Sequence, residues 1–63
     1  MKTKLGIEYR DLAEADTARD IACEHIGFFE DLGLDGNSPQ IRGEREAADD
    51  AQEAINAFRA QGQ

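Results

Sequence analysis

With only one cysteine, Cys23, this chain of 63 residues must fold without an internal disulfide. A domain of this length buries only about 60% of the surface that its unfolded chain exposes. A core of that size, without a disulfide or a metal, rarely contributes more than about 3–5 kcal/mol. We therefore expect one small domain, residues 1–63, with a thin core and a tendency either to form a homodimer or to dock on a partner.

The charge of the chain is acidic and unevenly distributed. Fourteen acidic residues against seven basic ones give a formal net charge of −7. Residues 1–10 carry three bases and one acid, whereas residues 11–58 carry thirteen acids and three arginines, a net of −10. A surface of this sign repels phosphate backbones and attracts basic partners. This argues against direct binding to nucleic acid or to an anionic membrane.

The first ten residues alternate between apolar and charged side chains. Leu5, Ile7 and Tyr9 would lie on one side of an extended chain, a period of two that predicts a short N-terminal strand at about 4–10. No second run of this quality follows. The strand would have to pair with its copy in a dimer or with a partner's sheet edge, or it would not form.

From residue 11 the apolar residues recur every three or four positions, which predicts helices. Asp11 and Glu14 have the spacing of a capping box, and Gly33 followed by Leu34 is typical of a Schellman stop, so the first helix should span about 11–32. Ser38 and Pro39 predict the start of a second helix at about 39–61. Gly43 leaves open a later start near residue 44.

The short connection between the helices favours an antiparallel helical hairpin. The predicted fold class is therefore mainly α, or α+β if the N-terminal strand forms. On the second helix the apolar seam consists of Ile41, Ala48, Ala51, Ile55 and Phe58. We expect Phe28, Phe29, Leu32 and Phe58 to fill the gaps between the alanines.

No pattern for catalysis, a cofactor or a metal stands out. Cys23 and His25 are two residues apart, so on a helix their side chains point about 200° away from each other and cannot grip one metal or act as a nucleophile and its base. Residues 31–42 resemble a calcium loop at a few positions, but Arg42 stands where the bidentate glutamate belongs. We expect no enzymatic activity, no metal and no cofactor.

Carboxylates form rows along both predicted helices. Side chains four residues apart on a helix lie about 6 Å from each other, a spacing comparable to that of phosphates along a nucleic-acid strand. Such rows can occupy a groove lined with Lys and Arg, although acidic helix faces also occur for solubility alone. The candidate partner-binding residues are Asp16, Asp20 and Glu24 on the first helix and Glu46, Asp49, Asp50 and Glu53 on the second.

In size, charge and these acidic rows the chain resembles the small acidic phage proteins that block CRISPR effectors by imitating DNA. The resemblance implies a non-enzymatic protein inhibitor that occupies a basic nucleic-acid-binding surface of such a complex. We expect a cytoplasmic protein, in the host cytoplasm if it is phage-encoded, because no apolar run follows the N-terminal residues as a signal peptide or membrane span requires.

A second interpretation is a small dimeric helical adaptor or antitoxin-like interaction module. In that case the seam around Phe29, Ile55 and Phe58 would form the interface between copies, and the charge would be incidental.

Overall fold

A computed structural model describes residues 1–62 and shows two helices packed against each other. Helix α1 spans Leu12–Asp31 and helix α2 spans Pro39–Ala60. The molecule is elongated, 40 × 18 × 15 Å, as expected for a helical hairpin. The predicted mainly α fold is confirmed, with both helices within one residue of their predicted ends.

Helix α1 has the predicted Asp11 cap and Gly33 stop, but the Glu14 side chain pairs with Arg10 at 3.1 Å instead of completing the capping box. The Asp11 carboxylate accepts a hydrogen bond of 2.9 Å from the backbone N–H of Glu14, which satisfies one of the free donors of the first turn. At the other end Gly33 has φ +89°, and the N–H groups of Gly33 and Leu34 donate to the carbonyls of Glu30 and Phe29 at 2.9 and 3.1 Å. These two bonds define the predicted Schellman motif.

Helix α2 begins at Pro39, whose φ is already suited to the first helical position. Ser38 precedes it, but its side chain makes no capping hydrogen bond, and its hydroxyl is buried without a partner among residues 1–62. Gly43 lies within the helix, so the later start near residue 44 is wrong.

Gly27 within α1 and Gly33 just after its end differ in backbone conformation and provide a matched test of the cap. A methyl group on either Gly27 or Gly33 would meet nothing within 4 Å, but only Gly33 has a positive φ. We expect Gly33→Ala to destabilise the protein by about 1–2 kcal/mol because of left-handed strain. Gly27→Ala should stabilise it by about 0.5–1 kcal/mol because alanine favours a helix. Urea unfolding of both variants measures this, and equal signs would contradict the assignment of the cap.

The prediction of a strand at about 4–10 is wrong. Gly6 has φ +82°, and the chain reverses there: the N–H of Gly6 donates to the carbonyl of Thr3, and the N–H of Thr3 donates to that of Ile7, each at 2.9 Å. One isolated antiparallel bridge joins Lys2 to Glu8. Residues 1–3 therefore pair with residues 7–9 of the same chain, where we had expected a second copy or a partner. Glycine adopts a positive φ without steric cost, so the chain turns at Gly6 although its alternating pattern is that of a strand.

The core lies where α1, α2 and the N-terminal residues meet. Alanines on both helices allow close approach, and larger side chains close the gaps between them. The buried apolar residues are Tyr9, Ala15, Ala22, Ile41, Ala51, Ala54, Ile55 and Phe58.

Phe28 and Leu32 do not fill the core as predicted, since they are 60% and 61% exposed. Phe28 follows the buried Ala22 by six residues, which places it about 120° around the helix from the line that faces α2. A single neighbouring helix is too narrow to cover so wide an apolar stripe.

Candidate protein-binding site

The acidic row of α1 is partly neutralised by Arg19. Its guanidinium lies 2.6 Å from the Asp16 carboxylate and 3.6 Å from that of Asp20, and it also donates to the side-chain oxygen of Gln52 on α2 at 2.9 Å. Glu24 is exposed and makes no ion pair among residues 1–62. The predicted row is therefore present on the surface, but Arg19 offsets part of the charge of Asp16 and Asp20. Glu24 is the member of this row whose charge no ion pair within residues 1–62 offsets.

The row of α2 is exposed at Glu46, Asp49 and Glu53. The Lys4 ammonium pairs with the Glu53 carboxylate at 3.2 Å, and both side chains remain more than half exposed. A surface ion pair of this kind contributes little stability. A shallow depression of about 280 Å³ is lined by Lys4, Leu5, Glu46 and Asp49. The basic N-terminal residues therefore fold against the acidic body.

Asp50 does not belong to this surface, so the prediction that it contacts a partner is wrong. Its side chain is 0% exposed. The hydroxyl of Thr3 donates a hydrogen bond to one carboxylate oxygen, and the other oxygen has no partner among the residues that the structure describes. The helical spacing places Asp50 next to Glu46 and Glu53 correctly, but residues 1–10 cover it.

Tyr9 lies in the core beside this carboxylate and is 4% exposed. Burial raises the pKa of its hydroxyl above the usual value, and the negative charges of Asp50 and Glu14 raise it further. The tyrosine is therefore held in its neutral form.

An exposed apolar face on α1 is the feature that the sequence analysis missed. Ile21, Phe28 and Leu32 are 47%, 60% and 61% exposed and follow one another at intervals of seven and four residues, which places them on one side of the helix. The Phe28 ring packs edge-on against Phe29, with ring centroids 5.9 Å apart. The signal was available in the sequence, because Ile21 and Phe28 make the apolar side of α1 wider than one partner helix can cover. The rest of that apolar stripe recurs every three or four residues: Ala15, Ala18, Ala22, Ile26, Phe29 and Leu32.

A groove of about 350 Å³ adjoins this face. It is open to solvent, and the His25 imidazole and the Glu44 carboxylate, 3.2 Å apart, bridge α1 and α2 within its lining. The other lining residues are mostly apolar: Ile7, Tyr9, Ala18, Ile21, Ala22 and Ala47.

The described residues hold few groups suited to chemistry. Cys23 is exposed, and His25 is engaged by Glu44. No set of three His, Cys, Asp or Glu side chains within residues 1–62 is arranged to hold a metal ion. In the same range neither helix is long and apolar enough to span a membrane.

The seam proposed for a dimeric adaptor is used inside the monomer. Ile55 and Phe58 are 0% and 3% exposed, so only Phe29, which is half-buried, remains accessible. A dimer would have to use the exposed face of α1 instead.

Comparison with known proteins yields no relative: no family model, no curated protein and no solved structure matches the chain.

Proposed function

We propose that this protein is a non-enzymatic inhibitor that binds a basic nucleic-acid-binding surface of a partner protein, such as the DNA channel of a CRISPR effector complex. It acts there as an acidic mimic of DNA and itself binds no nucleic acid. We place this action in the cytoplasm, where such complexes work, and in the host cytoplasm if a phage encodes the chain.

The observation that carries the proposal is the exposure of carboxylates without partners on both helices. Glu24, Glu46 and Asp49 face solvent and make no ion pair within residues 1–62. Rigid helices hold these charges in place, so little ordering is needed when a row of Lys and Arg approaches. The net charge of −7 steers a basic partner toward the surface and raises the rate of association.

The test uses purified, guide-loaded CRISPR effector complexes and measures their binding to target DNA in gel shifts. The wild-type protein should prevent DNA binding, and higher salt should weaken the inhibition because screening reduces it. A triple variant, Glu24→Gln/Glu46→Gln/Asp49→Asn, should inhibit at least about tenfold less, since each removed charge weakens the attraction. Circular dichroism should show an unchanged helical content, because all three side chains are exposed.

A control variant removes the same amount of charge elsewhere, with Glu8, Glu14 and Glu30 each replaced by glutamine. It should inhibit within about twofold of the wild type, because nonspecific attraction depends on net charge whereas mimicry depends on position. Equal loss in both triple variants would show that net charge alone is responsible. Full inhibition by the first variant, or no inhibition of any complex by the wild type, would overturn the proposal.

The exposed face of α1 favours a second candidate function, a small dimeric adaptor or antitoxin-like module. A self-associating protein would bury Ile21, Phe28 and Leu32 against a second copy. Light scattering over a range of concentrations, at low and high salt, separates the two functions. A stable dimer that is insensitive to salt favours the adaptor, and a monomer favours the inhibitor.

A further inference from the structure

The exposed face of α1 combines apolar and acidic side chains in parallel rows. Asp20 and Asp31 each precede a residue of the apolar row, Ile21 and Leu32, and Glu24 lies one turn before Phe28. Residues 20–32 contain four acids and no Lys or Arg. All four acids are exposed, and three of them, Asp20, Glu24 and Asp31, border the apolar row, whereas Glu30 lies nine residues after Ile21 and points to the opposite side of the helix. The face is therefore an apolar stripe with a negative border.

The groove extends this stripe at the end nearer the N-terminal residues. Ile21 belongs to both, since it lines the groove and is 47% exposed. Phe28 lies two turns further along the helix, about 10 Å away by the rise of 1.5 Å per residue. The apolar surface therefore runs from Ile7 to Leu32, long enough for about three turns of a docked helix.

We propose that this groove and stripe dock an amphipathic basic helix of a partner protein. Apolar residues of that helix enter the groove and pack on Ile21, Phe28 and Leu32, while its Lys and Arg residues pair with Asp20, Glu24 and Asp31. Helices in apolar grooves are a common mode of recognition, with anchors three, four and seven residues apart. The inference rests on the proposed function for the identity of the partner as a basic protein, and it adds an apolar anchor to that binding.

Charge decides between this occupant and a second copy of the chain. A twofold dimer through the same face would place Asp20, Glu24 and Asp31 of both copies at one interface, with no Lys or Arg in residues 20–32 to offset them. Like charges placed together at an interface are costly. The Lys and Arg residues of a basic helix would instead be attracted to the same acidic residues.

The probe is a fluorescein-labelled 18-residue peptide of Leu and Lys, ordered so that its leucines form one stripe on a helix. Fluorescence anisotropy should show binding to the wild-type protein. A peptide of the same composition, with its leucines spread around the helix, should bind at least about tenfold more weakly because it presents no stripe. Equal binding of the two peptides would overturn the inference.

Two matched pairs of variants locate the site. Phe28→Ser/Leu32→Ser should weaken binding of the striped peptide at least about tenfold, whereas Leu5→Ser, which removes an apolar side chain that is 49% exposed elsewhere, should change it less than about twofold. Glu24→Gln/Asp31→Asn should likewise weaken binding more than Glu8→Gln/Glu30→Gln. Equal effects within either pair would contradict the inference. It would also be contradicted if sedimentation showed that the wild-type protein is a dimer and that Phe28→Ser/Leu32→Ser is a monomer.

The outcome is separable from that of the proposed function. If Phe28→Ser/Leu32→Ser binds the peptide normally but the wild type inhibits DNA binding, the inference fails and the inhibition is electrostatic alone. If peptide binding requires the stripe but no effector complex is inhibited, the docking surface stands and the proposed function fails.

Discussion

Phe58→Ala is expected to leave the protein largely unfolded at 25 °C. Phe58 is 3% exposed and packs in the cluster that joins both helices to Tyr9. Truncating a buried phenylalanine costs about 3–5 kcal/mol, and a domain of this size has about that much stability in total. Circular dichroism at 222 nm should therefore show most of the helical signal lost without denaturant.

Phe28→Ala is the matched control, because it makes the same chemical change at a side chain that is 60% exposed. It should cost less than about 1 kcal/mol, mainly through the lost edge-on contact with Phe29. Urea unfolding compares the two variants. A folded Phe58→Ala protein, or similar losses in both variants, would show that the core is not where the structure places it.

Thr3→Val is expected to destabilise the protein by about 2 kcal/mol, although it changes few atoms. The Thr3 hydroxyl is the donor to the buried carboxylate of Asp50, whose other oxygen already lacks a partner among residues 1–62. Removing that donor leaves a buried charge without a hydrogen bond, and bonds to charged groups contribute about 1.5–3 kcal/mol. Urea unfolding midpoints measure the loss.

The control for Thr3→Val is the same change in the Asp50→Asn background. The amide keeps an acceptor for Thr3 but carries no charge, so Thr3→Val should cost about 1 kcal/mol or less there. The difference between the two backgrounds measures what the charge of Asp50 adds to this hydrogen bond, because the amide still accepts from Thr3. Equal costs in both backgrounds would mean that the charge of Asp50 adds nothing to its hydrogen bond with Thr3.

The helices were predictable because local chemistry determines their ends. Asp11 caps α1 through its own side chain, and Gly33 and Pro39 impose backbone angles that stop one helix and start the next. These effects act within four residues, so a sequence pattern is sufficient to detect them. The alanine spacing likewise identified Ala51 and Ile55 as core residues.

The errors at Asp50 and in residues 4–10 have different causes, a contact with a distant part of the chain for Asp50 and a local turn for residues 4–10. Helical spacing placed Asp50 among exposed acids, whereas in the structure it is buried and accepts a hydrogen bond from Thr3, 47 residues earlier. The turn at Gly6 depends on a positive φ that the alternating pattern conceals. Periodicity within one element cannot reveal what another element covers.

The sequence identified the acidic residues of the candidate site, but it did not show which of them keep an unpaired charge or which apolar side chains lie beside them. Six of the seven predicted carboxylates do reach the surface, yet Arg19 and Lys4 reduce the charge of three of them, Asp16, Asp20 and Glu53. The width of the apolar stripe on α1 indicates that part of it stays uncovered, but it does not indicate which part. Only the position of α2 shows which part of that stripe stays uncovered.

The way in which residues 1–10 are held has a consequence for the order of assembly. The helices are neighbours along the chain, whereas the bonds of Thr3 and Lys4 to α2 span 47 and 49 of the 63 residues and close a long loop. Closing a long loop costs more entropy than closing a short one. The N-terminal residues should therefore dock last during folding and detach first in native fluctuations, which hydrates Tyr9 and Asp50 while the two helices stay together.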